Sequence, residues 1–201
     1  MKRSTIIVLV VLGLIVLFII SIFSWGTRTY NSMVTKREAV TSQWGNVQTQ
    51  YQRRMDLIPN FVNTVKGAAN FEQTTLTQVI EARAKATSVT VDPKNITPEA
   101  MAQFQKAQAG VSSALARLMV VVEKYPELKA TQNFRDLQTE LEGTENRIAT
   151  ERKKFNDIAQ DYNIYTQKFP QNILAGMFHF SEKPYFQAAE GADKAPEVKF
   201  N

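Results

Sequence analysis

His179 is the only histidine of the chain, and there is no cysteine. That removes thiol nucleophiles, disulfides, zinc–thiolate sites and a lipoprotein-type cysteine anchor, while leaving an oxidising compartment open. The histidine lies in the aromatic run Met177-Phe178-His179-Phe180, with Glu182 the nearest acid in sequence. A metal would need carboxylates recruited from elsewhere, and any Ser-His-Asp arrangement would have to use this one imidazole. Packing or exposure is the better reading of it. The eight glycines stand at 13, 26, 45, 67, 110, 143, 176 and 191. They are too far apart for a loop to close round a phosphate. No catalytic, metal-binding or cofactor-binding residue is expected, and no small-molecule substrate is indicated. An envelope hydrolase, built for instance on a Ser/Lys dyad, is a remote alternative.

The charged groups with the best claim to a specific place are Arg53-Arg54-Met55-Asp56 and Glu140–Arg147. Arg54 and Arg83 sit close to apolar stripes, as do Glu142 and Glu145. Two readings stay open. These groups pair across helices and fix their register, as polar groups do inside some helical cores. Alternatively they are solvated flanking charges whose aliphatic stems cover the core. Arg83 with Glu145 is the pair on which to separate the two by charge reversal.

The elements that must hold these residues begin with an apolar run. Residues Ile6–Ile20 read IIVLVVLGLIVLFII behind Met1-Lys2-Arg3. Carried on through Ser21–Trp25, the run is long enough to cross a bilayer, at ~1.5 Å per residue against ~30 Å of hydrocarbon. Residues 1–26 are read as an N-terminal membrane anchor with its span at about 5–25. A cleaved signal peptide fits less well, because the apolar stretch exceeds the usual ~7–15 residues and no A-x-A site follows it. Lys2 and Arg3 favour an inside N-terminus, and hence a domain outside the cytoplasm, against Arg28, Lys36 and Arg37 on the other flank. Of the formal net charge of +5, Lys2 and Arg3 supply two. The remaining excess is spread over many turns. Nucleic-acid binding wants a concentrated basic face, so it is not indicated; weak attraction to anionic headgroups is compatible.

Beyond Gly26 the apolar residues recur at spacings of three and four, from Tyr30 through Val34, Val40, Trp44, Val47 and Tyr51 to Met55. They predict a first helix over about Thr27–Leu57, able to run on directly from the span. Pro59 ends that stripe by a kink or a fresh start, with Asp56 as the cap of a second helix over Asn60–Thr87. Ser88–Thr97 reads as a surface loop. Thr97-Pro98-Glu99 opens a third helix that Pro126 stops. A fourth, with a near-heptad seam, runs from about Thr131–Phe134 to Phe169-Pro170. The predicted fold class is all-α: an N-terminal single transmembrane helix followed by an antiparallel up-and-down four-helix bundle over 27–186. Within it, 169–186 is an apolar C-terminal segment, and 187–201 is expected to be a disordered tail. The wide stripes favour a self-contained core over an intermolecular coiled coil.

Several of these strings have a familiar pattern. They are YNSMVTKREAV before Trp44, YQRRMDLIPNFVNTVKGAA, VIEARAKA, NFRDLQTELEGTENRIATERKKFNDIAQDYN and KFPQNILAGMFHFSEKPYF. Together they resemble the LemA family of bacterial membrane proteins over nearly all of Tyr30–Phe186. The resemblance implies a membrane helix followed by an antiparallel four-helix bundle, with no established enzymatic activity and a largely undefined biochemical role. A LemA-related protein of magnetosome membranes adds, by analogy of fold alone, a part in shaping or organising membranes.

The segment Phe169–Phe186 is rich in aromatic and aliphatic residues, and Pro170, Gly176 and Pro184 keep it from forming a long helix. Four alternating helices return it to the bilayer surface beside Trp25 and Tyr30. Either it covers the open end of the bundle, or Trp25, Tyr30, Met177, Phe178 and Phe180 form a membrane-interface set. The expected partners are the lipid bilayer and a protein partner or a second copy. The expected function is a membrane-anchored, non-enzymatic scaffold of the bacterial cell envelope. The alternative is a self-assembling protein that organises or remodels membranes.

Overall fold

The computed structural model describes residues 3–67 and 72–188. All of its regular elements are helices, with no strand among the described residues. They are α1 (Arg3–Lys66), α2 (Gln73–Ser88), α3 (Pro98–Val122), α4 (Pro126–Lys129), α5 (Gln132–Gln167) and α6 (Gln171–Met177). The chain divides into two compact units. Of the described residues, unit 1 holds 3–40 and 160–182, and unit 2 holds 41–67, 72–159 and 183–188. The expected disordered tail lies outside the described residues from 189 onward.

In unit 1, α1 carries the apolar run of Ile6–Ile20 with its large side chains exposed on every side. Such a surface is stable in hydrocarbon and unstable in water. This is the one helix among the described residues that is long and apolar enough to cross a membrane.

In unit 2, the stripe read from the sequence turns inward. Phe61 and Val65 of α1, Val79 of α2, Val111 and Leu118 of α3, and Phe134 of α5 share one buried cluster. Nearer unit 2's first residues, the Trp44 ring meets Phe104 and Phe155 edge-on and stacks against Phe186. Trp44–Phe155, Arg53–Glu140 and Phe61–Phe134 pair rising numbers on α1 with falling numbers on α5. The two helices are therefore antiparallel here. α2 packs on α3.

The start of α3 follows local rules. Thr97 Oγ1 accepts from the Ala100 N–H at 3.2 Å, with Pro98 at the first helical position. α3 stops at Val122, and Pro126 opens a separate single turn, α4, which the sequence pattern did not reveal. The expected surface loop 88–97 buries Val91 and Ile96, so its β-branched residues serve the core.

The largest departure is at Pro59. The sequence reading had the first helix ending there, capped afresh by Asp56, but α1 runs through it to Lys66. Proline lacks an N–H, so the carbonyl four residues back, on Met55, loses its helical donor. Arg83 of α2 supplies a replacement: its Nε donates to the Met55 carbonyl at 2.8 Å. Asp56 instead accepts from Gln52 one turn earlier. The expected second helix, Asn60–Thr87, is thus split between the end of α1 and the shorter α2.

Candidate functional site

The most elaborate polar site of unit 2 centres on Arg54. Its side chain is 1% exposed, held in the stripe of α1 between Tyr51 and Met55. A buried guanidinium is costly unless its protons find acceptors. Nη1 donates to Ser112 Oγ at 2.9 Å and to Glu145 Oε1 at 2.6 Å. Nη2 donates to the Gln108 side-chain oxygen and to the Gln108 carbonyl at 3.3 Å. Nε is buried without a hydrogen-bond partner. The Tyr51 ring lies 5.1 Å from the guanidinium carbon. Burial pushes the Tyr51 phenol above its ordinary 10.0, with Arg152 and Arg54 opposing the shift. Arg54 therefore ties α1 to both α3 and α5 through one side chain.

Beside it lies a groove of about 230 Å³, lined by Phe61, Leu115, Met119 and Leu141 with Glu142 and Glu145. That is below the ~300–1,000 Å³ usual for small-molecule sites. No group of acids and histidines among the described residues is arranged to hold a metal. The cluster has the chemistry of an interhelical lock: both terminal nitrogens of the guanidinium are hydrogen-bonded, and its carboxylate partner is half-exposed.

In unit 1, the chain beyond α5 turns back on α1. Lys36 bonds Asp161, and its ammonium lies 5.3 Å from the Tyr165 ring centre. The Tyr162 hydroxyl donates to the Ser181 carbonyl at 3.0 Å, and burial raises its pKa, with Arg37 opposing. Phe178 and Phe180 both meet the Tyr30 ring edge-on, at 4.9 and 5.6 Å. Phe180 also lies under the Arg37 guanidinium at 5.2 Å.

His179 explains how two aromatics so close in sequence part company. Its φ is 56°, and it is exposed. The Phe180 N–H donates to the Ala175 carbonyl at 2.9 Å, and the His179 N–H to the Gly176 carbonyl at 3.4 Å. This pair of bonds is the Schellman motif, with His179 in the left-handed position that glycine usually takes. The histidine ends α6, leaving Phe178 half-exposed and turning Phe180 inward.

The residues expected to pair across helices are thus divided. Arg54 and Glu145 meet, whereas Arg83 does not face Glu145 and is bound to the Met55 carbonyl. Glu142 is exposed and accepts from Gln138 one turn away. Of the expected interface set, Trp25, Tyr30, Met177 and Phe178 are exposed, and Phe180 is buried beneath Tyr30 and Arg37. Sequence reasoning missed Gln108 and Ser112. The signal was present, since Gln108 falls on the apolar stripe of α3 where a polar residue needs a partner.

The sequence profile of the LemA family matches residues 43–200. The chain belongs to the LemA family. It is 30% identical over 183 residues to magnetosome protein MamQ 2 of Paramagnetospirillum magneticum, covering 82% of this chain and 66% of the relative. It is 27% identical over 201 residues to magnetosome protein MamQ of Magnetospirillum gryphiswaldense, covering 90% of this chain and 73% of that one. Protein LemA of Metamycoplasma hominis is 25% identical over 160 residues, covering 80% of this chain and 69% of that protein. This chain thus spans somewhat less than two thirds of MamQ 2. In this LemA-family chain the matched region takes in the Arg54 cluster and α6, whereas the apolar run of α1 precedes it.

Proposed function

We propose that this protein is a single-pass, membrane-anchored scaffold of the bacterial cell envelope, without enzymatic activity. The reading rests on one observation: within the single helix α1, the stretch Ile6–Phe23 is apolar and exposed on all sides, and the stretch from Val40 onward is buried along one stripe. Its helical segments are read as an up-and-down four-helix bundle, held in register by Arg54. Anchoring confines such a domain to a surface and raises its effective concentration, so weak contacts with a protein partner or a second copy suffice. The Lys2-Arg3 pair before the span favours a domain outside the cytoplasm. Membrane fractions washed with carbonate test the anchor, and crosslinking in native membranes tests the scaffold. The expected result is a chain retained by the membrane and crosslinked to a partner or to itself. A chain released by the wash, or one recovered only as monomer, would overturn the reading. A reporter fused to the C-terminus in intact cells decides the side.

Similarity to the magnetosome MamQ proteins favours a second reading, in which self-assembly of anchored copies organises or bends the membrane. Electron microscopy of membranes from overproducing cells tests it. Unaltered curvature without ordered arrays would exclude it.

A further inference from the structure

Apart from the span, unit 1 leaves a block of large apolar side chains uncovered around α6. Phe169 is 79% exposed and Met177 66%, and Ile173 and Phe178 are at least half-exposed. Ile173 and Met177 stand four residues apart on one side of α6, and Phe169 lies in the corner before it. The opposite side is packed: Ala175 is buried, and Phe180 is folded in behind it. A contiguous apolar block of this kind, unlike a single exposed leucine, signals a surface that is covered in use.

Contacts within unit 1 fix where the block lies. Phe178 touches Tyr30, five residues beyond Trp25 on α1. At ~1.5 Å per residue that is roughly 7 to 8 Å along the helix axis. The headgroup layer on one side of a bilayer is about 5 to 7 Å deep. α5 comes to this level from beyond it, since Asp161 and Tyr165 already meet Lys36, and the chain must pass Phe169 before reaching Tyr30. The corner and α6 thus sit on the side of Lys36 nearer the span. The apolar surface is continuous in kind from Phe23, exposed on the span, through the partly exposed Trp25 and Tyr30 to Phe178. Exposed Lys168 directly precedes Phe169, exposed Arg28 lies two residues before Tyr30 on α1, and Glu182 and Asp161 are exposed acids of the same unit.

We infer that α6 is an interfacial foot, laying Phe169, Ile173, Met177 and Phe178 into the headgroup–acyl boundary of the bilayer that α1 crosses. The inference rests on the reading of α1 as a span and adds a second, shallower attachment to it. Lipid is the occupant because the block adjoins the span: Tyr30 lies at about the outer edge of the headgroup layer, and Phe178 and α6 are on the side of Lys36 nearer the span. Exposed Lys168, next to Phe169 in the chain, is a basic neighbour of the kind that accompanies interfacial apolar faces. Phe180 is no part of the foot. It is the residue against which α6 is held.

The chain has no cysteine, so single substitutions give unique labelling sites. Full-length protein would be labelled with an environment-sensitive fluorophore at Val16→Cys, Ile173→Cys, Met177→Cys or Glu99→Cys. Each would be reconstituted into phosphatidylcholine vesicles with and without brominated acyl chains. Glu99 is an exposed site at the start of α3 and serves as the water reference. The expected result is blue-shifted emission at Ile173 and Met177, with bromine quenching between that at Val16 and that at Glu99. Ile173 and Met177 labels that behave like Glu99 while Val16 is quenched would overturn the foot and leave the anchor standing. Val16 unquenched would overturn both. Blue-shifted labels that escape bromine and respond to the protein-to-lipid ratio would assign the block to a second copy, which also overturns the foot.

Discussion

Ile15 and Val47 lie on one helix and meet opposite surroundings. Ile15 is 49% exposed and Val47 is fully buried. Around Ile15 every face of α1 is apolar and exposed, a surface that hydrocarbon satisfies on all sides and water does not. Around Val47 the apolar residues form one stripe between polar faces, so a few neighbouring helices suffice. The contrast teaches that the amount of a helix's circumference that is apolar selects its solvent, even without any break in its backbone.

Substitutions on the two stretches test that contrast directly. The largest effect is expected in the span. Leu12→Arg should disfavour insertion by ~2.5–3.5 kcal/mol and shift protein from the membrane to the soluble or degraded fraction. Thr49→Arg, on an exposed face of the same helix in unit 2, should change stability by no more than ~0.5 kcal/mol. Equal membrane content for both variants would break the comparison.

Next comes the lock in the buried stretch. Arg54→Met removes the partner of the buried Gln108 side chain and of Glu145 and should cost ~1.5–3 kcal/mol, a fall in melting temperature on the order of 5 °C for a chain of this size. Glu145→Gln keeps an acceptor oxygen at a half-exposed position and should cost only ~1 kcal/mol. Thermal denaturation followed by circular dichroism measures both. Similar midpoints for Arg54→Met and wild type would reduce the cluster to solvated charge.

A smaller effect sharpens the account of α1's continuity. Arg83→Met should cost ~1–3 kcal/mol by orphaning the Met55 carbonyl. In a Pro59→Ala background the alanine N–H reclaims that carbonyl, and the cost should drop by ~0.5 kcal/mol or more. Additive effects in this double-mutant cycle would mean that Arg83 does not stand in for the missing donor.

The smallest effect is expected at the sole histidine. His179→Gly relieves a left-handed residue and should leave the melting temperature unchanged or raise it by the equivalent of up to ~1 kcal/mol. A loss of stability there would mean that the imidazole, rather than the backbone turn, holds the end of α6.

The helical class, the long apolar N-terminal helix and the opening of α3 at Thr97-Pro98 were legible in the sequence. Each depends on residues within one or two turns of one another, and their periodicity and capping chemistry are written locally. Trp44, Phe61 and Phe134 were legible as stripe residues for the same reason. Arg54 and Glu145 were legible as candidates, since a charge on an apolar stripe needs an answer. Their actual partners were not.

What only the tertiary structure decided is where each unsatisfied group finds its complement. α1 passes Pro59 because Arg83, far along the chain, reaches back to the carbonyl that proline abandons. Glu145 accepts from Arg54 instead. Phe178 faces outward and Phe180 inward because the turn at His179 separates them and Tyr30 and Arg37 receive the second ring. Local periodicity fixes which face of a helix is apolar. The donor or ring that meets a given group comes from a distant segment, and only the packed chain brings that segment near.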